Sequence, residues 1–282
     1  MFKNIIGHKR IKNLLQGSVQ SAYFSHAYLF VGVEHLGKFT LALEFAKELI
    51  GIKDDKHPDI LILKHEKNII SIKAVRELQR KLNLSSYKAK YKIAIIDNAH
   101  FLRKESANAL LKTLEEPPKQ GIIILIANSL GSVLPTIVSR CQIVKFWPVS
   151  NKEMRLFFLG NNISPAKARK INKIAHHRPG IVLRAIQDSK YLKEQENYLK
   201  DLQGIFKGDL IFRFNYAEKL SKDKNIAQEV LKLWILNLRV ELLKKQNKSC
   251  LLVLKNLKDA LYLLRTNANA RLVLENMMLN IN

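Results

Sequence analysis

Ile93-Ala94-Ile95-Ile96-Asp97 opens the stretch on which the fold turns. It continues through Asn108-Ala109-Leu110-Leu111-Lys112-Thr113-Leu114-Glu115-Glu116, is stopped by Pro117-Pro118, and runs on through Gly121 to Ala127. It closes on Pro135-Thr136-Ile137-Val138-Ser139-Arg140-Cys141. Short runs of β-branched and aliphatic residues bounded by polar turns predict buried parallel strands. The segment between them has helical spacing, and two prolines cannot continue a helix. Strand, helix, strand in that order gives an α/β sheet, and an acid at the carboxyl end of a strand stands where such sheets place ligands.

Upstream, His26-Ala27-Tyr28-Leu29-Phe30-Val31 reads as the first strand, followed by Gly32-Val33-Glu34-His35-Leu36-Gly37-Lys38-Phe39-Thr40. A phosphate-binding loop needs glycines for close backbone approach, a lysine for the β/γ-phosphates, and a hydroxyl on Mg²⁺ directly after the lysine. Gly32, Gly37 and Lys38 meet the first two needs. Phe39 takes the place of the hydroxyl, and Thr40 comes one residue late, rotated by about 100° on a helix. Magnesium binding is put in question by that order.

Further elements follow from periodicity. A first helix is expected over Ile5 to Ser18, a strand over Asp59 to Leu63, and a helix opened by Ser71 as cap, with Ala74, Val75, Leu78 and Leu82 as its apolar stripe. Strands are also expected over Ile122 to Ala127 and Gln142 to Phe146. Ser150 and Glu153 have capping-box spacing, marking a new helix after Trp147-Pro148. From Lys190 onward every segment reads helical. The run Val230 to Leu243, around Trp234, is apolar nearly all round, which predicts burial in a bundle or an oligomer interface.

The net charge is +24. Two readings stand: a nucleic-acid or acidic partner, or the lysine-rich composition of an A/T-rich genome. The excess is +17 over residues 1–189, from 31 basic and 14 acidic residues. It is +7 over residues 190–282, from 17 and 10. No block of consecutive like charges concentrates it. No apolar run reaches the roughly 18 residues of a membrane span, and the first residues lack a signal peptide's apolar core. Cys141 and Cys250 make neither a disulfide framework nor a four-ligand zinc site. A cytoplasmic protein without a metal site is the expectation.

The residues His26 to Gly32, Asn108 to Pro118 and Ser139-Arg140-Cys141 together resemble the clamp-loader branch of the AAA+ ATPases. Within it they are most similar to the delta prime family of bacterial DNA polymerase III. The resemblance implies an AAA+ parallel-sheet nucleoside-triphosphatase domain over 1–147, a small helical lid over 148–189, and an all-α collar for oligomerisation over 190–282. It further implies that Ile5-Ile6-Gly7 line an adenine pocket, that Asp97 holds Mg²⁺ through water, and that Asn128 senses the γ-phosphate. Arg184 is the nearest candidate for a lid arginine. The family's motors carry a glutamate beside the strand-end acid. Here Asn98 follows Asp97, and an amide is no general base; His100 lies three residues on.

With two chemical parts missing, the resemblance implies a stator without ATP hydrolysis of its own, requiring no cofactor. It would help motor subunits of the gamma/tau type and a delta-like subunit load a sliding clamp onto primer-template DNA. The alternatives are an active gamma/tau-type motor and a separate basic DNA-binding AAA+ protein. Arg140 is expected to be an arginine finger acting on a neighbouring subunit's nucleotide; the competing reading is an ion pair with a nearby acid or a helix cap. Glu115 and Glu116, at a helix end, suit interfaces or termination better than acid/base chemistry. Cys141 has no adjacent base and reads as packing.

Overall fold

The computed structural model describes residues 1–282 apart from 1, 3, 4, 53, 55, 56, 67, 88, 246, 247 and 282, and apart from the side chains of 244–250. The Cys250 side chain therefore lies outside the described residues. These residues group into two compact units. The first comprises Met1–Asn162 with His177–Gly180, the second Ile163–His176 with Ile181–Asn282.

The first unit is built on five parallel strands: β1 (Ala27–Val31), β2 (Ile60–Leu63), β3 (Lys92–Ile96), β4 (Gly121–Ala127) and β5 (Gln142–Lys145), in the order β2-β3-β4-β1-β5. The registers pair Leu29 with Leu125 and Ile143, and Ile95 with Ile62 and Ile124. Every residue of β1, β3 and β4 is buried, which is why these runs, apart from Lys92 at the start of β3, are apolar rather than alternating. On one face Tyr28, Phe30, Ile93, Ile95 and Ile124 pack with Leu15 of α1 (Lys9–Ser21) and with Leu41 and Phe45 of α2 (Lys38–Ile50). On the other, Leu29, Ile96 and Leu125 pack with α3 (Ile72–Asn83), α4 (Lys104–Glu115) and the short α5 (Pro135–Val138). Burying each such side chain is worth about 1.5–3 kcal/mol, so this two-sided core holds the strand ends in place.

Local signals position the rest. Ser71 accepts from Ala74 N at 3.2 Å and starts α3. Ser150 and Glu153 form the expected capping box at the start of α6 (Asn151–Gly160). The first helix begins later than expected, at Lys9, because Gly7 and His8 both adopt left-handed backbone with φ of 69° and 56°. The segment 134–140 forms only one turn of helix, α5.

The second unit is helical: α7 (Pro165–Ala175), most of α8 (Pro179–Gln187), α9 (Ser189–Lys207), α10 (Leu210–Ser221), α11 (Lys224–Lys245), α12 (Lys248–Leu263) and α13 (Ala270–Leu279). Asp188, Asp209 and Asn269 cap α9, α10 and α13. Trp234 decides between the two readings of α11, a bundle interior or an oligomer interface. It is fully buried, its indole N–H donates to Tyr198 O at 2.7 Å, and its ring stacks on Tyr216 at 5.8 Å. The chain's own helices cover it, so the apolar girdle reflects burial inside this bundle. Among the described residues no helix is long and apolar enough to cross a membrane.

Candidate functional site

The loop after β1 leaves the sheet between buried strands and turns at Gly37, φ 82°, into α2. Gly32 is required by close approach: a Cβ there would stand 2.6 Å from Phe146 O. The loop's carbonyls are largely engaged. Lys38 is buried, and its ammonium donates to Gly32 O and, at 2.8 Å, to Val33 O. Gly180 N donates to His35 O at 2.8 Å. His8 Nε2 lies 2.9 Å from Leu36 O, and its ring meets Phe146 edge-on at 5.1 Å. Burial pulls the Lys38 ammonium down to about 8, a fall partly offset by the negative charges of Glu34 and Asp97. The lysine is folded back onto its own loop.

Around it stand groups from three strand ends. Asp97, directly after β3, is close enough for its charge to act on both Lys38 and His100. Asn128, directly after β4, donates from Nδ2 to Glu34 Oε1 and faces His100 Nε2, each at 3.4 Å. His100 Nδ1 is buried without a hydrogen-bond partner among the described residues. Burial is the chief cause lowering the His100 pKa, and Glu34 opposes it. Gly32, Gly37, Lys38, Asp97 and Asn128 therefore meet at one end of the sheet. Thr40 does not join them: it lies exposed on α2, while Phe39 is half-buried against the core with Lys64 Nζ 5.4 Å from its ring centroid.

Glu34, His8 and Gly180 belong to this site and were missed in the sequence. Glu34 occupies a position any residue may take in a phosphate loop. His8 and Gly180 reach the loop from opposite directions along the chain, and no local pattern announces that. Ile5 and Ile6 are buried in the core, and Gly7 lies against the Val149 side chain. Among the described residues no group of three or more metal-ligating side chains comes together.

Arg140 lies apart from this cluster, just past α5. Its guanidinium pairs with Glu115 Oε1 at 2.6 Å and donates to Thr136 O at 2.8 Å and Ser139 Oγ at 3.4 Å. Both side chains of the pair are substantially exposed, 35% and 50%. Such a pair contributes about 0–1 kcal/mol, so it holds the guanidinium weakly. Cys141 packs against the core, and burial pushes its thiol up to about 12, far from a nucleophile's range. In the second unit Arg184 lies over the Tyr191 ring, 4.0 Å from its centroid.

Comparison with known proteins gives these features a setting. The family described as "DNA polymerase III, delta subunit" matches residues 7–150. The chain is 30% identical over 204 residues to the DNA polymerase III subunit gamma of Buchnera aphidicola from Acyrthosiphon pisum, covering 66% of this chain and 56% of that one. It is 29% identical over 184 residues to the subunit delta' of Bacillus subtilis, covering 60% and 56%. It thus spans little more than half the length of these relatives. Among solved structures, a DNA polymerase III gamma subunit-related protein of Thermotoga maritima shares the fold. The TM-score is 0.56 at 21% identity, over 94% of this chain and 97% of that one. The match across residues 7–150 covers the whole sheet, the strand-end residues Asp97 and Asn128 and the Ser-Arg-Cys corner: the chain belongs to the DNA polymerase III delta subunit family.

Proposed function

We propose that this chain is a stator of the delta prime type in a bacterial clamp loader, assisting the loading of a sliding clamp onto primed DNA without hydrolysing ATP itself. The observation that carries this reading is Lys38. Its ammonium is engaged by Gly32 O and Val33 O of its own loop. Phosphate oxygens bound there would have to displace both carbonyls. The residue that should offer a hydroxyl to magnesium is Phe39, and Asn98 stands where a base would orient water. Arg140, by contrast, sits at an exposed corner under a weak ion pair. In this reading it leaves Glu115 and reaches the γ-phosphate held by a neighbouring motor subunit. A guanidinium suits that task, being always charged and able to hold two phosphate oxygens. The division into sheet domain 1–147, lid 148–189 and collar 190–282, a cytoplasmic location, and assembly with gamma/tau-like and delta-like subunits belong to the same proposal.

A second reading is supported by specific residues. Gly32, Gly37, Lys38 and Asp97 are all present, and relatives named gamma are as similar as those named delta'. On that reading the chain is a motor. The isolated protein separates the two. A stator should show no appreciable hydrolysis with ATP and magnesium. A turnover of about 1 s⁻¹, typical of slow enzymes, that is lost in Lys38→Ala would establish the motor.

A further inference from the structure

The outer edge of β5 borders a groove that touches the nucleotide cluster at His8 and otherwise lies outside it. It has a volume of about 590 Å³ and runs between α1 and the strand. Its apolar surface comes from Ile11, Leu14, Ile143 and Trp147. Trp147 is 70% exposed and Leu14 47%. Its charged border is Lys9, Arg10 and Lys145. Among the described residues the one acid lining it, Glu153, is committed: Oε2 accepts from Ser150 N and Oγ, and Oε1 from Lys9 N. The groove is therefore electropositive and apolar together.

The strand beside it has an open side. β1 pairs β5 on one edge, and among the described residues no strand pairs the other. In a parallel pair, alternate residues direct their N–H and C=O to the same side. Phe146 N donates to Val31 O, so Val144 also faces β1. Ile143 and Lys145 then present their backbone groups to the open edge. A lysine on an edge strand is by itself a guard against aggregation. An exposed tryptophan and leucine beside it are not part of such a guard.

We propose that this groove takes an extended acidic segment of a partner protein, added as a strand along β5. Backbone groups of Ile143 and Lys145 bond the segment. Its carboxylates meet Lys9, Arg10 and Lys145, and one aromatic or aliphatic side chain lies against Trp147 and Leu14. This is strand addition, in which main-chain bonds supply affinity and side-chain contacts supply selectivity. The span of β5 suits a segment of about four to six residues at roughly 3.3 Å each. The proposal does not depend on which type of loader subunit the chain is.

The probe is a synthetic peptide, Asp-Glu-Val-Glu-Phe-Glu-Val-Asp, set against the same peptide with every acid replaced by lysine, and titrated into the full-length protein. Trp147 reports by emission, since Trp234 is fully buried, and hydrogen exchange reads the Ile143 and Lys145 amides. The acidic peptide should shift the emission saturably and protect both amides, and the lysine peptide should do neither. The triple variant Lys9→Glu, Arg10→Glu, Lys145→Glu changes only surface residues. It should bind the acidic peptide roughly tenfold more weakly, as three exposed pairs together imply, and should begin to bind the lysine peptide. Equal binding of both peptides, no binding of the acidic one at millimolar concentration, or binding without amide protection overturns the proposal. So does an oligothymidylate that perturbs Trp147 where the acidic peptide does not, which would make the groove a nucleic-acid surface.

Discussion

Two cations on one domain have opposite surroundings. Lys38 is buried, held by two carbonyls of its own loop, and lowered by desolvation to about 8. Arg140 is about a third exposed, its principal partner a half-exposed carboxylate. A buried cation tied to backbone is costly to redirect, because desolvated donors and acceptors must be re-paired together. An exposed ion pair exchanges for water or phosphate at a cost of about 0–1 kcal/mol. One side chain is fixed to its own fold and the other is available to a visitor.

The contrast can be broken most sharply through pH. An unfolded lysine titrates near 10.5 and folded Lys38 at about 8, so folding expels a proton between those values. The penalty is full below pH 8, is relieved as pH rises, and is gone above 10.5. Relative to Lys38→Met, the wild-type protein should therefore gain stability between pH 8 and 10.5, with a ceiling on the order of 3 kcal/mol. Thermal unfolding of both proteins at pH 7.5 and 10 reads this directly; a constant difference between them means the ammonium is not buried as described.

Next in size is the loop's fit. Gly32→Ala drives a Cβ to 2.6 Å from Phe146 O and should cost about 2–3 kcal/mol, since backbone would have to move. Gly37→Ala meets no atom within 4 Å and suffers only its positive φ, for about 1 kcal/mol. Denaturant midpoints that reversed this order would show the loop to be pliable.

The smallest effect belongs to the exposed pair. Glu115→Gln removes the carboxylate from Arg140 and should change stability by less than about 1 kcal/mol. A larger loss would mean that Arg140 is structural and that the contrast with Lys38 is false.

Much of this was legible in the sequence, for physical reasons that differ by element. β1, β3 and β4 announced themselves because strands buried on both faces are apolar nearly throughout, Lys92 at the start of β3 excepted. Ser71 and Ser150 announced helix starts because orphan N–H groups need a side-chain acceptor, and the structure supplies both. The contacts that close the loop, His8 to Leu36 O and Gly180 to His35 O, were not legible, since each joins residues far apart in the chain. Glu34 was hidden at a position the loop motif leaves free. The cover over Trp234 was left open between two readings, because an all-round apolar helix looks the same whether its own bundle or a partner buries it. The Arg140–Glu115 pair was foreseen as one of two readings, and it bears on the resting chain alone.

The central claim is that Arg140 acts on a nucleotide this chain does not hold. The direct measurement is clamp- and DNA-stimulated ATP hydrolysis by a reconstituted loader carrying Arg140→Ala, with assembly followed by size-exclusion chromatography. The complex should form normally while stimulated hydrolysis falls by roughly 10³-fold or more at the site the arginine serves, the scale of an arginine supplied in trans. Stimulated hydrolysis and clamp loading at wild-type level in a normally assembled complex would contradict the account and leave Arg140 as Glu115's partner alone.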